Sequence, residues 1–365
     1  MIKFFVTFFI LFGTLVFAKN PPLDDMIAQM IVIGFDGQKE GDKWVEQIAK
    51  DIKRGKVGGV IVYDKNIQSL AQLKKLTDHL KAQVTTLPLI VATEQEGGEN
   101  SIFSSRKGFV EIPSQSDMAR SKDIEESALL YKNIASELAK SGINVNFGPV
   151  LDLQTKVNFN EETKFKKSYS SYEEIVTMYA TLFINGLKNA NIVPVVKYFP
   201  TAGDNLWDGF AKEVDVTKSW RFEQLKPYYD LFTYEKLDAI LISHVMNKEF
   251  DTEYPAVLSS KIIQTLLRDK MHFEGVVFAD NLRSGSLSNS FDFKQRVIRS
   301  VNAGADILVF SNYFADNASM PFTVQKILID AVKSGEIKQE RIELSYERII
   351  KFKNKLSSKR VNNAN

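Results

Sequence analysis

The chain of 365 residues contains no cysteine, and only three histidines and three tryptophans. Without a thiol there is no disulfide, no thiolate metal site and no residue to carry a lipid anchor. The fold must therefore rest on its apolar core, which a chain of this length can supply. No sign of charge dominates either. With 47 basic against 45 acidic residues the formal net charge is +2, and no concentrated basic face marks a nucleic-acid footprint. No His/Asp/Glu positions have the spacing of a metal-binding helix or hairpin, so neither a metal nor another cofactor is expected.

Long apolar runs are absent except at the start. After Met1-Ile2-Lys3 comes an apolar stretch over residues 4–17, and Val16-Phe17-Ala18 carries the pattern a signal peptidase reads. Residues 1–18 are expected to be a Sec-type signal peptide cleaved after Ala18, which predicts a periplasmic or secreted protein. An uncleaved anchor is the alternative, but the run falls short of the roughly 20 residues a bilayer span needs. After cleavage, no transmembrane span is expected.

What the chain does have is a repeated unit: a short β-rich run, a turn, then an amphipathic helix. The runs are residues 30–35, 58–63, 89–93, 145–150, 194–199, 239–245, 275–280 and 305–311. Unbroken Val/Ile/Leu runs suit strands covered on both faces. Helical patterns lie between them at 70–83, 127–141, 175–190 and 260–270. Eight such units predict an α/β fold of the (β/α)8 TIM-barrel type, with an open doubly wound sheet as the alternative. No linker interrupts the chain, so residues 19–356 read as a single domain that ends in helix, and 357–365 as a polar tail.

In such a barrel, chemistry gathers at the C-terminal strand ends. Those positions hold Asp36, Asp64, Glu94, Glu96, Asp152, Lys197, Asp204, His244, Asp280 and Ser311. Carboxylates ring the face, with Tyr63, Tyr198 and Trp207 among them. Such a rim can hydrogen-bond sugar hydroxyls and pack against a pyranose face, although the tyrosines could equally be packing residues. With His244 the only histidine there, no Ser-His-Asp triad is indicated. His79 and His272 read as surface residues of a helix and a connection.

Several motifs occur in a fixed order. They include Glu94-Gln95-Glu96-Gly97-Gly98, Asn146-Phe147-Gly148-Pro149-Val150-Leu151-Asp152, Ser243-His244-Val245, Ala279-Asp280-Asn281-Leu282 and Asn302-Ala303-Gly304-Ala305-Asp306. With them the chain resembles the single-domain β-N-acetylglucosaminidase (β-N-acetylhexosaminidase) branch of the family 3 glycoside hydrolases. The resemblance runs from Leu23 to Lys355. It implies a retaining glycosidase in which a carboxylate attacks the anomeric carbon and a second group shuttles the leaving-group proton. Asp280 takes the nucleophile's position. Glu94, Asp152, Lys167, Lys197, Tyr198, Asp204 and His244 are the implied substrate contacts.

The implied proton shuttle is missing. The family pattern is Lys-His-Phe-Pro-Gly-His-Gly-Asp followed by Asp-Ser-His; here Tyr198, Ala202 and Phe210 stand where histidines are expected. Asp208 matches the aspartate that orients the catalytic histidine and is a candidate substitute acid, since an aspartic acid in apolar surroundings can have a raised pKa. Two arginines of the family's Gly-Gly-Arg-Val-x-Arg are also replaced, because Glu99-Asn100-Ser101-Ile102 follows Gly98. Three functions follow as expectations: a weak hydrolase of cell-wall glycans containing N-acetylglucosamine, such as peptidoglycan fragments; an inactive barrel that binds such a glycan; or a structural component with protein partners in a periplasmic envelope assembly.

Overall fold

The computed structural model describes residues 20–84, 86–98, 101–154, 167–203, 213–234, 237–311, 313–315 and 318–357. Eight parallel strands close into a barrel: β1 (Ile31–Gly34), β2 (Gly59–Ile61), β3 (Ile90–Thr93), β4 (Val145–Val150), β5 (Val193–Phe199), β6 (Ala239–Ile242), β7 (Val276–Ala279) and β8 (Ile307–Phe310). The closing pair is β1 with β8, in the register Ile31 to Leu308. Each strand falls within or beside a predicted run, and every residue of the eight strands is buried. A helix layer outside and packed side chains inside leave no face for water, which is why these strands do not alternate apolar and polar residues.

The helices start where the sequence offers caps. Helix Leu70–Lys81 opens on a reciprocal box between Ser69 and Gln72, and helix Phe293–Ala303 on one between Asp292 and Gln295. Each box satisfies backbone N–H groups that the first turn leaves unpaired. The segment expected to be helical after β6 runs as a π-helix over Lys261–Lys270. The end of the chain forms two helices, Met320–Lys333 and Gln339–Ser357. The second buries Phe352 edge-to-face on Phe278 of β7, at 5.8 Å between centroids.

Inside the barrel, Phe278 meets Phe147 of β4 edge-to-face at 5.3 Å. Gly34, the last residue of β1, is held to glycine by its surroundings. A Cβ there would lie 2.2 Å from the Ser311 carbonyl oxygen and 2.7 Å from the Tyr63 ring. Among the described residues no helix is long and apolar enough to cross a membrane.

Candidate active site

Five strand ends bring the predicted polar residues to one mouth. Glu94 and Glu96 follow β3, Asp152 follows β4, Lys197 and Tyr198 lie in the last turn of β5, His244 follows β6 and Asp280 follows β7. In an eight-stranded barrel β3 and β7 stand opposite each other, so Glu94 and Asp280 enter the mouth from facing walls. Asp204 and Asp208, with Trp207 and Phe210, lie outside the described residues, as do Glu99 and Asn100.

Asp280 is nearly buried, with 8% of its surface exposed. Its backbone N–H donates to the Ile242 carbonyl at 3.3 Å, which ties the tip of β7 to β6. Its Oδ1 accepts the Asn281 N–H at 2.7 Å. Its Oδ2 is buried with no hydrogen-bond partner among the described residues. Such an atom costs about 1–3 kcal/mol if nothing satisfies it, so its persistence calls for a functional account. Asn281 holds the tip from the other side: its Oδ1 accepts the Ser311 and Arg283 N–H groups at 3.1 and 3.2 Å. The sequence gives no sign of this bracing role, since both partners of Asn281 Oδ1 are backbone N–H groups.

A charge network fills the floor between β3 and β5. Lys197 is wholly buried, forms an ion pair with Glu96, sits 3.7 Å from Glu94 and lies 4.8 Å above the Tyr198 ring. Lys167 approaches Glu96 from outside at 3.7 Å. Burial would lower the Lys197 pKa, but the carboxylates of Glu96 and Glu94 outweigh it and hold the ammonium well above its ordinary value. Burial likewise works against ionised Glu96, yet Lys167 and Lys197 bring its pKa below the usual range. Glu94 goes the other way: burial, supported by the nearby Asp280 and opposed by Lys197, raises its pKa. Its side chain still keeps 37% exposure toward the mouth. One carboxyl is thus held ionised and its neighbour is disposed to take a proton.

Tyr63 and Tyr198 border this network. Burial, with the charges of Glu94 and Asp280 adding, raises both phenols well above their ordinary values, so each is a neutral hydroxyl at physiological pH. His244 is 2% exposed, and burial lowers its pKa despite the neighbouring Asp280. Its Nδ1 meets the Ser286 hydroxyl at 3.2 Å, and Ser286 meets Ser284 at 3.0 Å. It is therefore a neutral imidazole packed behind Asp280 rather than a group on the open rim.

Asp152, an implied substrate contact, also holds the chain's own backbone. It is 1% exposed, and its Oδ2 accepts both the Thr201 hydroxyl and the Ala202 N–H at 2.7 Å. It anchors the chain leaving β5. Asp36 and Asp64 sit at the outer rim, paired with Lys65 and Lys107. His79 lies away from the mouth, 3.3 Å from Glu46, and His272 is exposed.

The arrangement has known counterparts. The profile described as the Glycosyl hydrolase family 3 N terminal domain matches residues 22–352. A beta-hexosaminidase of Tolumonas auensis is 32% identical over 261 residues, covering 70% of this chain and 76% of that protein. One from Haemophilus influenzae is 29% identical over 289 residues, covering 77% and 79%. Among solved structures, a glycoside hydrolase family 3 beta-N-acetylglucosaminidase from Paenibacillus sp. superposes with a TM-score of 0.81 at 28% identity. The match covers 92% of this chain but only 63% of that longer one. The beta-N-acetylhexosaminidase of Beutenbergia cavernae shares the fold at a TM-score of 0.80 and 22% identity, over 92% of this chain and 99% of that one.

Proposed function

The chain belongs to glycosyl hydrolase family 3, and from that premise we propose that it is an exported, β-N-acetylhexosaminidase-like barrel that keeps its nucleophile and has lost its proton shuttle. The proposed ligand is a cell-wall glycan containing N-acetylglucosamine, and the proposed setting is the periplasm or the cell exterior. The observation that carries this reading is Asp280 Oδ2, a buried carboxylate oxygen at a strand tip with no partner among the described residues, while Oδ1 is fixed by a backbone N–H.

In the proposed reaction Asp280 Oδ2 bonds to the anomeric carbon as the bond from that carbon to the leaving oxygen breaks. The leaving oxygen departs with the bonding pair and needs a proton. Water then attacks the anomeric carbon of the glycosyl ester, the ester C–O pair returns to the Asp280 carboxylate, and the proton the water loses to solvent balances the one the leaving oxygen takes up from solvent. A near-neutral imidazole can give and take that proton; the side chains of Phe210 and Ala202 cannot. Loss of general acid catalysis costs about 10²–10⁴-fold, most of it on substrates whose leaving group is a poor one. Glu94, exposed to the mouth, is the proposed acceptor or donor for sugar hydroxyls.

One observation favours a second reading, a barrel that holds a glycan or a protein partner in an envelope assembly without turning substrate over. Lys197 is wholly buried and its charge is committed to Glu96 and Glu94. The two readings separate in one assay. The mature protein is incubated with 4-nitrophenyl β-N-acetylglucosaminide, whose leaving group needs no acid. Release of nitrophenol that disappears in Asp280→Asn supports the hydrolase reading. No release above the buffer rate, together with saturable glycan or protein binding, supports the second.

A further inference from the structure

A retaining displacement is two attacks on the anomeric carbon, each from the face opposite the bond that breaks. Asp280 attacks from the β7 wall, so the leaving group departs, and water later enters, on the side that faces β3. A group that takes the water's proton must therefore stand on that far side. His244 does not: β6 pairs with β7 and carries it beside the nucleophile, with its Nδ1 on Ser286.

The polar groups on the far side are committed elsewhere. Glu96 lies between Lys197 and Lys167, which hold it ionised. Asp152 Oδ2 accepts the Thr201 hydroxyl and the Ala202 N–H. Lys197 is a protonated ammonium with no lone pair to offer, and Tyr63 and Tyr198 are neutral phenols, which are very weak bases. Glu94 keeps an outlet to the mouth, but it shares the Lys197 charge at 3.7 Å and is the group placed for sugar hydroxyls.

The two steps differ in what they need. A leaving group that is stable as an anion, such as a nitrophenolate, departs without a proton, so the first step runs on Asp280 alone. Water must lose a proton as it attacks, whatever the donor was, and lack of a base costs about 10²–10⁴-fold. Without the shuttle the first step is therefore spared for such donors and the second is not. Asp280, 8% exposed, also keeps the ester largely out of bulk solvent.

On the reading of Asp280 as the nucleophile, on which this rests, we propose that the protein captures the sugar covalently: with β-N-acetylhexosaminides whose leaving group departs as a stable anion, the glycosyl ester of Asp280 is the form that accumulates. In the capture, Asp280 Oδ2 bonds to the anomeric carbon, the pair of the breaking C–O bond leaves with the anion, and no proton moves. The experiment mixes the full chain with 4-nitrophenyl β-N-acetylglucosaminide and follows nitrophenolate release and the intact mass of the protein, with and without azide, an anion that attacks without losing a proton. A burst of nearly one nitrophenolate per chain is expected, then a steady rate at least about tenfold slower. The chain should gain the mass of one N-acetylglucosaminyl group, mapped to Asp280 by peptide analysis. Azide should raise the steady rate at least about tenfold and give the β-glycosyl azide. Linear release with no burst and no adduct, unmoved by azide, overturns the proposal and leaves the nucleophile standing, with another group, Glu94 first, activating water. Release no greater than from a folded Asp280→Asn variant, even in the first turnover, overturns the nucleophile and the capture together.

Discussion

Lys197 of β5 and Glu96 after β3 form a buried ion pair that links two walls of the barrel at its mouth. Glu94 shares the same ammonium from 3.7 Å, and Lys167 supports Glu96 from the other side. The pair sits on the floor of the candidate site, so it couples the stability of the fold to the electrostatics of the site.

Lys197→Met removes the only wholly buried cation in this network and leaves Glu96 without its main partner. Breaking a buried pair from one side costs about 3–5 kcal/mol. Urea unfolding should show a loss of that order, and Lys167→Met, whose partner distance is longer and whose side chain is partly exposed, a much smaller one. Equal losses in the two variants would mean that the network is held by something other than the Lys197–Glu96 pair.

A second buried amine sits far from the mouth. Lys353, 1% exposed, donates to Gln29 Oε1 at 2.6 Å and to the Gly58 carbonyl at 2.7 Å, and has no carboxylate partner among the described residues. Burial pushes its pKa down from 10.5 to about 7. Between those two values the unfolded chain keeps the proton and the folded chain releases it, so this group makes stability rise with pH across that window. The contribution approaches about 1.4 kcal/mol per pH unit. Below about pH 7 both states are protonated and the slope from this group vanishes. Unfolding measured from pH 6 to 9.5 should therefore show the parent chain gaining on Lys353→Met as pH rises above 7. A constant difference would contradict the assignment.

The barrel was largely legible in the sequence, and the reason is physical. Strands covered on both faces must be unbroken apolar runs, and the eight runs ending at Phe35, Tyr63, Thr93, Val150, Phe199, Val245, Asp280 and Ser311 each coincide with a strand to within a few residues. The place of Asp280 at the tip of β7 was legible because it ends one of these runs. The environments were not. Lys197 looks like a rim cation in the sequence, and its burial depends on Glu96, which arrives from a strand about a hundred residues earlier. Asp152 reads as a substrate contact, and its bonds to Thr201 and Ala202 are not legible in the sequence. Lys353 reads as one more basic residue on an amphipathic helix. The π-helix Lys261–Lys270 shares its apolar pattern with an ordinary helix, so periodicity could not distinguish the two.

If the missing proton donor limits activity, returning it should restore activity selectively. Phe210→His places an imidazole two residues after Asp208, in the spacing of the family's orienting pair. Hydrolysis of chitobiose should rise, by up to about 10²–10⁴-fold if the whole of general acid catalysis is recovered. First-turnover release of 4-nitrophenol, which reports the bond-breaking step alone, should change little. A rise of equal size on both substrates would point to altered binding rather than to proton transfer.

The central claim is that Asp280 survives as a nucleophile while its acid partner is gone. The most direct test is the rate of Asp280-dependent cleavage across a series of aryl β-N-acetylglucosaminides whose phenols span a wide range of pKa. Without an acid, the leaving group must depart as its anion. The account therefore predicts rates that fall steeply as phenol pKa rises, and almost no turnover of chitobiose. A shallow dependence on phenol pKa, with chitobiose cleaved at an ordinary enzymatic rate, would contradict it.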